Sequence, residues 1–253
     1  MPKLVIVSNR LPVTVTQLDE KKVSIERSVG GVATGIASLD RPEKTLWLGW
    51  PGISNDKMNP EIKSQIRRKL KEIDCSPVFL DAQDIRDYYY GFSNRTIWPL
   101  FHYFSHYADF NRQFWNRYVQ VNEAFCKAVL KNVHPNDKIW IHDYQLMLLP
   151  KMLREHLPKT QIGFFLHIPF PSYELLRLLP WRNELLDGML GADLVGLHEY
   201  DYVRHFLSSV YRIRGLESHL NQISIGERLV RVDAFPMGID YEKFCNSYKD
   251  TAV

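Results

Sequence analysis

Short apolar runs rich in β-branched and aromatic residues alternate along this chain with segments whose apolar residues recur at helical spacing. This alternation is typical of a parallel sheet with helices on both faces, because parallel strands are buried on both sides. The predicted strands are Lys3–Ser8, Thr45–Trp50, Pro77–Leu80, Lys138–His142, Gln161–Leu166 and Asp193–Leu197. Helical stripes are predicted from Ile62 to Ile73 and from Phe110 to Val129. The pattern predicts one continuous α/β domain over residues 1–253.

Two stretches depart from this alternation. Apolar residues alternate with polar ones on both sides of a polar turn at Leu18–Lys22, which predicts an exposed β-hairpin near residues 12–27, inserted after the first strand. Near the other end, the runs 223–225 and 229–232 flank a Gly-Glu pair and predict a second small hairpin.

Composition excludes several classes of protein. The 253 residues are 45% hydrophobic and 24% charged, with a formal charge of +3 that is spread along the chain, so no basic stripe for nucleic acid is predicted. Met1–Arg10 is not expected to be a secretory leader, and no apolar run in the sequence approaches the roughly 18 residues of a membrane span. Three cysteines without metal-type spacing favour a reduced, cytoplasmic setting, and no His pair has the spacing of a metal site.

Polar residues follow three of the predicted strands. They are Ser8-Asn9-Arg10, His142-Asp143-Tyr144 and His167, which precedes Ile168-Pro169-Phe170-Pro171. In an open parallel sheet, ligands bind beyond the carboxyl ends of the strands, so these groups are expected to meet in one crevice.

Each of these candidates has two readings. Arg10 offers a planar fork of donors that suits a phosphate or a carboxylate, or it forms a surface ion pair. Asp143 accepts hydrogen bonds from sugar hydroxyls, or it is the N-cap of a helix that begins at Tyr144. His167, held beside rigid prolines, binds a sugar hydroxyl or is a satisfied core histidine.

Two further features belong with this crevice. Gly30-Gly31 precedes an apolar helix start, where backbone N–H groups can bind a phosphate, although the pattern is not that of a dinucleotide or P-loop site. The stretches Tyr88–Asn94 and Trp98–Tyr103 are unusually aromatic. They are typical either of a sugar-binding surface or of an aromatic core.

Seven motifs, taken together, carry a resemblance to a known family. They are Ser8-Asn9-Arg10, Gly30-Gly31, Leu48-Gly49-Trp50-Pro51-Gly52, Tyr88-Tyr89 with Phe92-Ser93-Asn94, Trp98-Pro99 with Phe101-His102-Tyr103, Trp140-Ile141-His142-Asp143-Tyr144, and Gly163-Phe164-Phe165-Leu166-His167-Ile168-Pro169-Phe170-Pro171. In order and spacing they resemble the trehalose-6-phosphate synthases, from Lys3 to about Asp240. Seven such motifs in sequence are highly specific.

The resemblance implies the Rossmann-like N-terminal domain of a GT-B glycosyltransferase. Members of that family transfer glucose, with retention of configuration, from a nucleotide sugar such as UDP-glucose to glucose 6-phosphate, giving trehalose 6-phosphate. Arg10 would then bind the acceptor's phosphate, aided by Tyr89 and Trp98, and Asp143 would hold acceptor hydroxyls beside the reacting centre. No cofactor and no metal are implied.

On the donor side, His167 would contact the donor glucose, and the backbone at Gly30 and Gly31 would meet the donor's pyrophosphate. The family's second domain supplies the remaining donor contacts. We expect that domain to be absent from this chain, which ends at Val253, soon after the point where the family's chain crosses over. Turnover by these residues alone is therefore not expected.

Several alternatives stay open at the level of sequence. The chain could be a non-catalytic module that senses sugar phosphate or docks onto a full-length synthase, rather than half of an enzyme. The acceptor could be glycerol 3-phosphate, as in related glucosylglycerol-phosphate synthases, although Tyr89 and Trp98 favour a sugar ring. The base of the nucleotide sugar and the oligomeric state, including a homo-oligomer, are not determined.

Overall fold

The computed structural model describes residues 3–19, 22–28, 44–238, 241, 245 and 246. Gly30 and Gly31 lie outside the described residues, so their predicted contact with a phosphate stays a prediction. The strands are β1 Lys3–Arg10, β2 Val13–Gln17, β3 Val23–Arg27, β4 Lys44–Trp50, β5 Cys75–Pro77, β6 Lys138–His142, β7 Gln161–Phe165, β8 Leu194–Leu197, β9 Ser218–His219, β10 Gln222–Ile225 and β11 Arg228–Ala234. The helices are α1 Pro60–Lys71, α2 Ala82–Asp84, a π-helix at Ile85–Ile97, α3 Trp98–Phe101, α4 Arg112–Leu130, α5 Leu149–His156, α6 Tyr173–Leu176, α7 Arg182–Met189 and α8 Tyr200–Arg214, with short 3₁₀ turns at Asn55–Lys57, Ser105–Tyr107 and Tyr144–Leu146.

Nine of the described strands form one sheet in the order β5-β4-β1-β6-β7-β8-β11-β10-β9. The seven from β5 to β11 are parallel, and β10 and β9 extend the sheet in antiparallel fashion. The predicted parallel sheet is confirmed. The second predicted hairpin is confirmed as β10–β11, and β11 also pairs with β8, so this hairpin is part of the main sheet.

Both faces of the sheet are buried. On β1, Val5 and Val7 pack into one core with Phe125 of α4, whereas Ile6 points to the opposite core, which contains Ile66 of α1. Successive residues of a strand face opposite sides of a sheet, so an uninterrupted apolar run requires a cover on each side. The predicted layers of helices on both faces are therefore confirmed.

The ends of the helical stripes differ from the prediction at two positions. α1 begins where the Asn59 side chain accepts a hydrogen bond from the Ile62 backbone (2.8 Å) and ends at Lys71, so Ile73 lies beyond it and is half exposed. α4 begins at Arg112, which leaves Phe110 outside the helix and partly exposed.

The strand predicted at Pro77–Leu80 is also displaced, since β5 spans Cys75–Pro77. Beyond Val78 the backbone turns away, and the Leu80 carbonyl accepts a hydrogen bond from Asn55 rather than from a neighbouring strand.

The inserted hairpin predicted near residues 12–27 is confirmed as β2–β3, but it is not a freely exposed ribbon. Val13, Val15 and Val23 are buried against the core that contains α1. Gln65 and Lys69 of α1 bond the backbone N–H and carbonyl of Val23, at 3.1 and 2.7 Å. An isolated two-stranded hairpin is marginal in water, and packing on a helix supplies the missing stability.

The order of the strands reverses between β1 and β6. The chain leaves β1 toward β4 on one side, then returns through α4 to β6 on the other side. Connections on opposite faces open a crevice at this point, beyond the carboxyl ends of the two strands. Arg10 ends β1, and Asp143 follows β6.

Candidate active site

β1 ends in an irregularity that redirects Arg10. The pairing of β1 with β4 shifts register between Val7 and Arg10, and the Ser8 hydroxyl donates a hydrogen bond to the Arg10 carbonyl (2.6 Å). Gly49 lies against this bulge, where a Cβ atom would be 2.8 Å from the Ser8 carbonyl oxygen. Bulges re-aim a side chain at the end of a strand, and here the side chain is a guanidinium.

The Arg10 guanidinium is held by an aromatic ring and a glycine. It lies 4.7 Å from the centre of the Trp50 ring, and a Cβ atom on Gly52 would be 2.5 Å from it. Gly52 has φ +90°, a conformation that other residues rarely adopt. Within the described part of the chain Arg10 forms no ion pair, so the reading as a surface ion pair is not supported there.

Tyr89 belongs to the same cluster as Arg10, whereas Trp98 has a different partner. The Tyr89 and Trp50 rings are 6.3 Å apart, which links Tyr89 to the stacked guanidinium. Trp98 is 43% exposed and stacks on His102, with ring centres 4.0 Å apart. The structure therefore places Arg10 and Tyr89 each beside Trp50 and leaves Trp98 available on the surface.

The π-helix at Ile85–Ile97 is attached to both central strand ends by hydrogen bonds. Tyr88 donates to the side-chain oxygen of Asn9 at the end of β1, and Asn94 accepts from the Tyr144 hydroxyl after β6, each at 3.0 Å. π-helical segments are uncommon and frequently occur at functional sites. This one positions Tyr89 beside the crevice.

Asp143 adopts a strained backbone conformation, with φ 78° and ψ 169°. Its N–H donates to the Phe165 carbonyl (2.7 Å), and its Oδ1 accepts from the backbone of Tyr144 (3.0 Å) and His167 (3.1 Å). The capping role is therefore confirmed, although the capped segment is a 3₁₀ turn rather than an α-helix. Oδ1 carries both bonds, which leaves Oδ2 for a ligand. Strain of this kind costs about 1–3 kcal/mol and is found mainly at functional sites.

Burial shifts the titration of the Asp143 carboxyl group. It raises the pKa of Asp143 from 3.8 to about 6, while the bonds from the Tyr144 and His167 backbone lower it. The group is still ionised at neutral pH, so the crevice contains a carboxylate in a poorly hydrated position.

His167 lies in a cluster of three imidazoles at the ends of β6, β7 and β8. His142 Nδ1 and His167 Nε2 are 3.0 Å apart, and the rings of His167 and His198 are 5.7 Å apart. Burial, followed by the neighbouring His198, lowers the pKa of His167 to about 4. Burial and His167 lower the pKa of His142 well below its usual value. Both rings are therefore neutral at pH 7.

The proton of His142 can be assigned from its surroundings. Its Nε2 is buried and has no hydrogen-bond partner among the described residues. A buried N–H without an acceptor is rarer in proteins than an under-used acceptor, so the proton belongs on Nδ1, from which it is donated to His167 Nε2. With Nε2 accepting this bond, neutral His167 carries its own proton on Nδ1.

Three contributors had not been identified from the sequence. Trp50 and Gly52 hold the guanidinium, and His142 orients His167. All three belong to the seven sequence motifs, but their roles follow only from the tertiary contacts. Within the described ranges, no group of three His, Cys, Asp or Glu residues could hold a metal ion, and no helix is long and apolar enough to cross a membrane.

A crevice with a guanidinium at one side and a carboxylate beside a neutral imidazole at the other can hold a phosphorylated polyol. The class of protein that this sheet defines is the Rossmann-like α/β proteins, which bind ligands beyond the carboxyl ends of their strands. The chain belongs to glycosyltransferase family 20, whose family model matches residues 2–253.

Relatives of known function are similar over almost the whole chain. The bifunctional trehalose-6-phosphate synthase/phosphatase of Thermoproteus tenax is 44% identical over 262 aligned residues, covering 99% of this chain and 35% of that protein. The UDP-forming α,α-trehalose-phosphate synthase of Pichia angusta is 43% identical, covering 99% and 54%. The chain thus spans about a third to a half of the length of these relatives.

Solved structures have the same fold. The N-terminal domain of trehalose-6-phosphate phosphatase from Candida albicans superposes with a TM-score of 0.81 at 32% identity, covering 98% of this chain and 51% of that one. A UDP-forming α,α-trehalose-phosphate synthase from Burkholderia xenovorans in complex with glucose-6-phosphate gives a TM-score of 0.79 at 27% identity, covering 98% and 52%. The expected N-terminal fold of a GT-B trehalose-phosphate synthase is confirmed.

Proposed function

We propose that this chain forms the acceptor-binding half of a UDP-forming α,α-trehalose-phosphate synthase. In this proposal it binds glucose 6-phosphate and, together with a second domain, transfers glucose to it from UDP-glucose. The stacked guanidinium of Arg10, without an acidic partner among the described residues, is the observation that carries the proposal. The relatives named as UDP-forming synthases, and the one solved with glucose-6-phosphate, support the choice of substrates.

On the acceptor side, Arg10 binds the phosphate through its fork of N–H groups while Trp50 holds its plane. Tyr89, in ring contact with Trp50, covers the sugar, and Trp98 adds an exposed aromatic face. Asp143 accepts a hydrogen bond from an acceptor hydroxyl through Oδ2.

On the donor side, His167 donates from Nδ1 to a hydroxyl of the donor glucose. Gly30 and Gly31 would offer backbone N–H groups to the pyrophosphate. The second domain would supply the remaining contacts to the phosphates and the base. No metal or cofactor is part of the proposal.

In the reaction, the acceptor's anomeric oxygen forms a bond to C1 of the donor glucose as the bond from C1 to the UDP phosphate breaks on the same face. The acceptor's proton passes to the departing phosphate oxygen. The Asp143 carboxylate stabilises the positive charge that develops at the sugar ring, and the neutral His167 positions the ring without adding a like charge.

The test is the binding of glucose 6-phosphate and of glucose to the chain by calorimetry. Arg10→Ala is expected to weaken glucose 6-phosphate binding by about tenfold or more, because a charged hydrogen bond to the phosphate is lost, and to change glucose binding by less than about twofold. Arg68→Ala, at an exposed position of α1, is the matched control. Equal losses for both sugars would contradict the role of Arg10.

A non-catalytic module is the second candidate. The exposed side chains of Phe235 and Met237, which follow β11 at the carboxyl edge of the sheet, support either reading, since an apolar surface there suits a second domain or a partner synthase. We also propose that the chain is one domain and that it works in the cytoplasm, in line with the reduced cysteines.

A further inference from the structure

A cavity of about 820 Å³ opens at the edge of the sheet opposite the crevice, where the parallel strands begin. Strand starts, the end of α1 and the loop before β6 contribute its walls. The side chains on which its charge depends are Lys3, Lys44, Arg67, Lys71, Asp74 and Asp137. Its size lies in the range of about 300–1,000 Å³ that is typical of small-molecule sites.

Two of these six charges neutralise each other. Asp137 accepts hydrogen bonds from the backbone of Lys3 (3.0 Å) and His134 (2.8 Å), and the Lys3 ammonium is 3.7 Å from it. The same ammonium donates to the Asn132 carbonyl (2.6 Å). These bonds hold the loop before β6 to the start of β1, so Lys3 and Asp137 are already engaged.

The other three cations have no such partner. Lys44, Arg67 and Lys71 are exposed and form no ion pair within the ranges that the structure describes, and Asp74 is the one further acid in the wall. Arg67 and Lys71 are one helical turn apart on α1, a spacing at which like charges repel. The helix dipole favours a cation at Lys71, the last residue, but not at Arg67, which stands a turn earlier.

Arg67 is held in the same way as Arg10. Its guanidinium lies 4.9 Å from the centre of the Phe79 ring, compared with 4.7 Å for Arg10 and Trp50. The third stacked arginine of the described residues, Arg212, has a carboxylate 4.0 Å away, whereas Arg10 and Arg67 have none. Stacking fixes the plane of the guanidinium and leaves its N–H edge open to a planar or tetrahedral anion.

We propose that Arg67, Lys44 and Lys71 form a second anion site, which binds a phosphorylated small molecule in this cavity. The site is separate from the crevice: β1 runs from Lys3 at one to Arg10 at the other, a length of roughly 25 Å for eight residues. One small ligand cannot reach both. The proposal goes beyond the proposed function and does not depend on it.

The test uses inorganic pyrophosphate as the probe, titrated calorimetrically into the 253-residue chain carrying Arg10→Ala, which removes the phosphate site of Arg10. Any binding at Gly30 and Gly31 is common to all the variants compared and does not depend on Arg67 or Lys71. Arg67→Ala with Lys71→Ala is expected to weaken this binding by at least about tenfold, because charge-assisted bonds to phosphate are lost. Arg67→Lys retains the charge but not the planar fork. Its affinity for pyrophosphate is expected to lie between that of the Arg10→Ala chain and that of the chain that also carries Arg67→Ala with Lys71→Ala.

The matched control is Lys63→Ala with Arg68→Ala, which removes the same charge from the same helix outside the cavity wall. It is expected to change pyrophosphate binding by less than about twofold. An equal loss in the control would overturn the proposal in favour of diffuse charge, and so would the absence of pyrophosphate binding to the Arg10→Ala chain. Amide resonances of Lys44 and Ser76 should shift with pyrophosphate; unshifted resonances would also contradict the site.

Discussion

Asp143 combines two costs in one residue: a backbone conformation that is normally confined to glycine, and a carboxylate in a buried position. Bonds from Tyr144, from His167 and to Phe165 hold it in place. A residue chosen only for stability would avoid both costs. Asp143 lies next to His167, where the order of the strands reverses between β1 and β6. This position favours a role at the reacting centre, in line with the proposed function.

Asp143→Asn is expected to stabilise the chain at pH 7. The pKa of Asp143 is higher in the folded chain than in the unfolded chain, so the folded chain loses stability as the pH rises from about 4 to about 6 and regains none above that. A shift of this size corresponds to about 3 kcal/mol as an upper bound, and Asn retains the acceptor oxygen. Denaturant unfolding between about pH 4.5 and pH 7 measures the free energy of unfolding of both chains. The excess of Asp143→Asn over the unchanged chain should shrink toward acid pH.

Asp137→Asn provides a control of opposite sign. Bonds from the backbone of Lys3 and His134, together with the Lys3 charge, hold the pKa of Asp137 below its usual value. Its contribution is therefore present above the unfolded pKa and is lost as the pH falls through the folded pKa. Asp137→Asn should lower the free energy of unfolding at pH 7. A higher free energy of unfolding at pH 7 for both variants would refute this explanation of the Asp143 effect.

At the scale of elements, close contact between helices determines how the loop after β6 is supported. Gly188 of α7 lies against the backbone that follows the Tyr144–Leu146 turn, where a Cβ atom would be 2.3 Å from the Met147 carbonyl oxygen. Gly191 makes a similar contact with the backbone of Lys151 on α5. Backbone atoms cannot move aside as a flexible side chain can, so these contacts set the position of the loop.

Gly188→Ala is expected to destabilise the chain by about 2 kcal/mol or more, since the added methyl group must displace α7 or the Met147 backbone. Gly163→Ala on β7 is the control. Its Cβ atom would be 3.4 Å from a Trp140 side-chain atom, and a change below about 1 kcal/mol is expected. Thermal or denaturant unfolding measures both. Equal free energies of unfolding for Gly188→Ala and Gly163→Ala would mean that α7 can move without loss of stability.

At the scale of the whole molecule, an exposed apolar surface lies at the same edge of the sheet as the crevice. In the proposed function β1 and β6 supply the acceptor side, and the exposed side chains of Phe235 and Met237 follow β11. The chain spans about half of the Pichia angusta synthase. These observations support a second domain closing over the crevice, as proposed above.

Mixing the chain with the separately expressed second half of a family synthase is expected to give UDP release from UDP-glucose and glucose 6-phosphate. Met237→Glu should reduce this activity severalfold by placing a charge at the contact, whereas Leu220→Glu, at an exposed turn between β9 and β10, should not. Association measured without any UDP release would favour the regulatory module.

The sequence by itself determined the sheet and the inserted hairpin, and it predicted that Arg10, Asp143 and His167 follow strands at the carboxyl edge of that sheet. Alternation of apolar runs and polar strand ends depends on local periodicity, which is visible in one dimension. Local periodicity could not place β5, the end of α1 or the start of α4. These boundaries depend on hydrogen bonds between backbone groups that are distant in the sequence, such as the bond from the Asn55 N–H to the Leu80 carbonyl.

Only the tertiary structure decided what each site residue touches. The stacking of Trp50 on Arg10, the bond between His142 and His167, and the pairing of Arg67 with Phe79 join residues that lie far apart in the chain or whose side-chain directions are set by packing. The raised pKa of Asp143 has the same origin, since burial is a property of the assembled crevice. The residue types predicted which chemical groups the site contains, and the packing of these residues determined the charge states and the geometry of those groups.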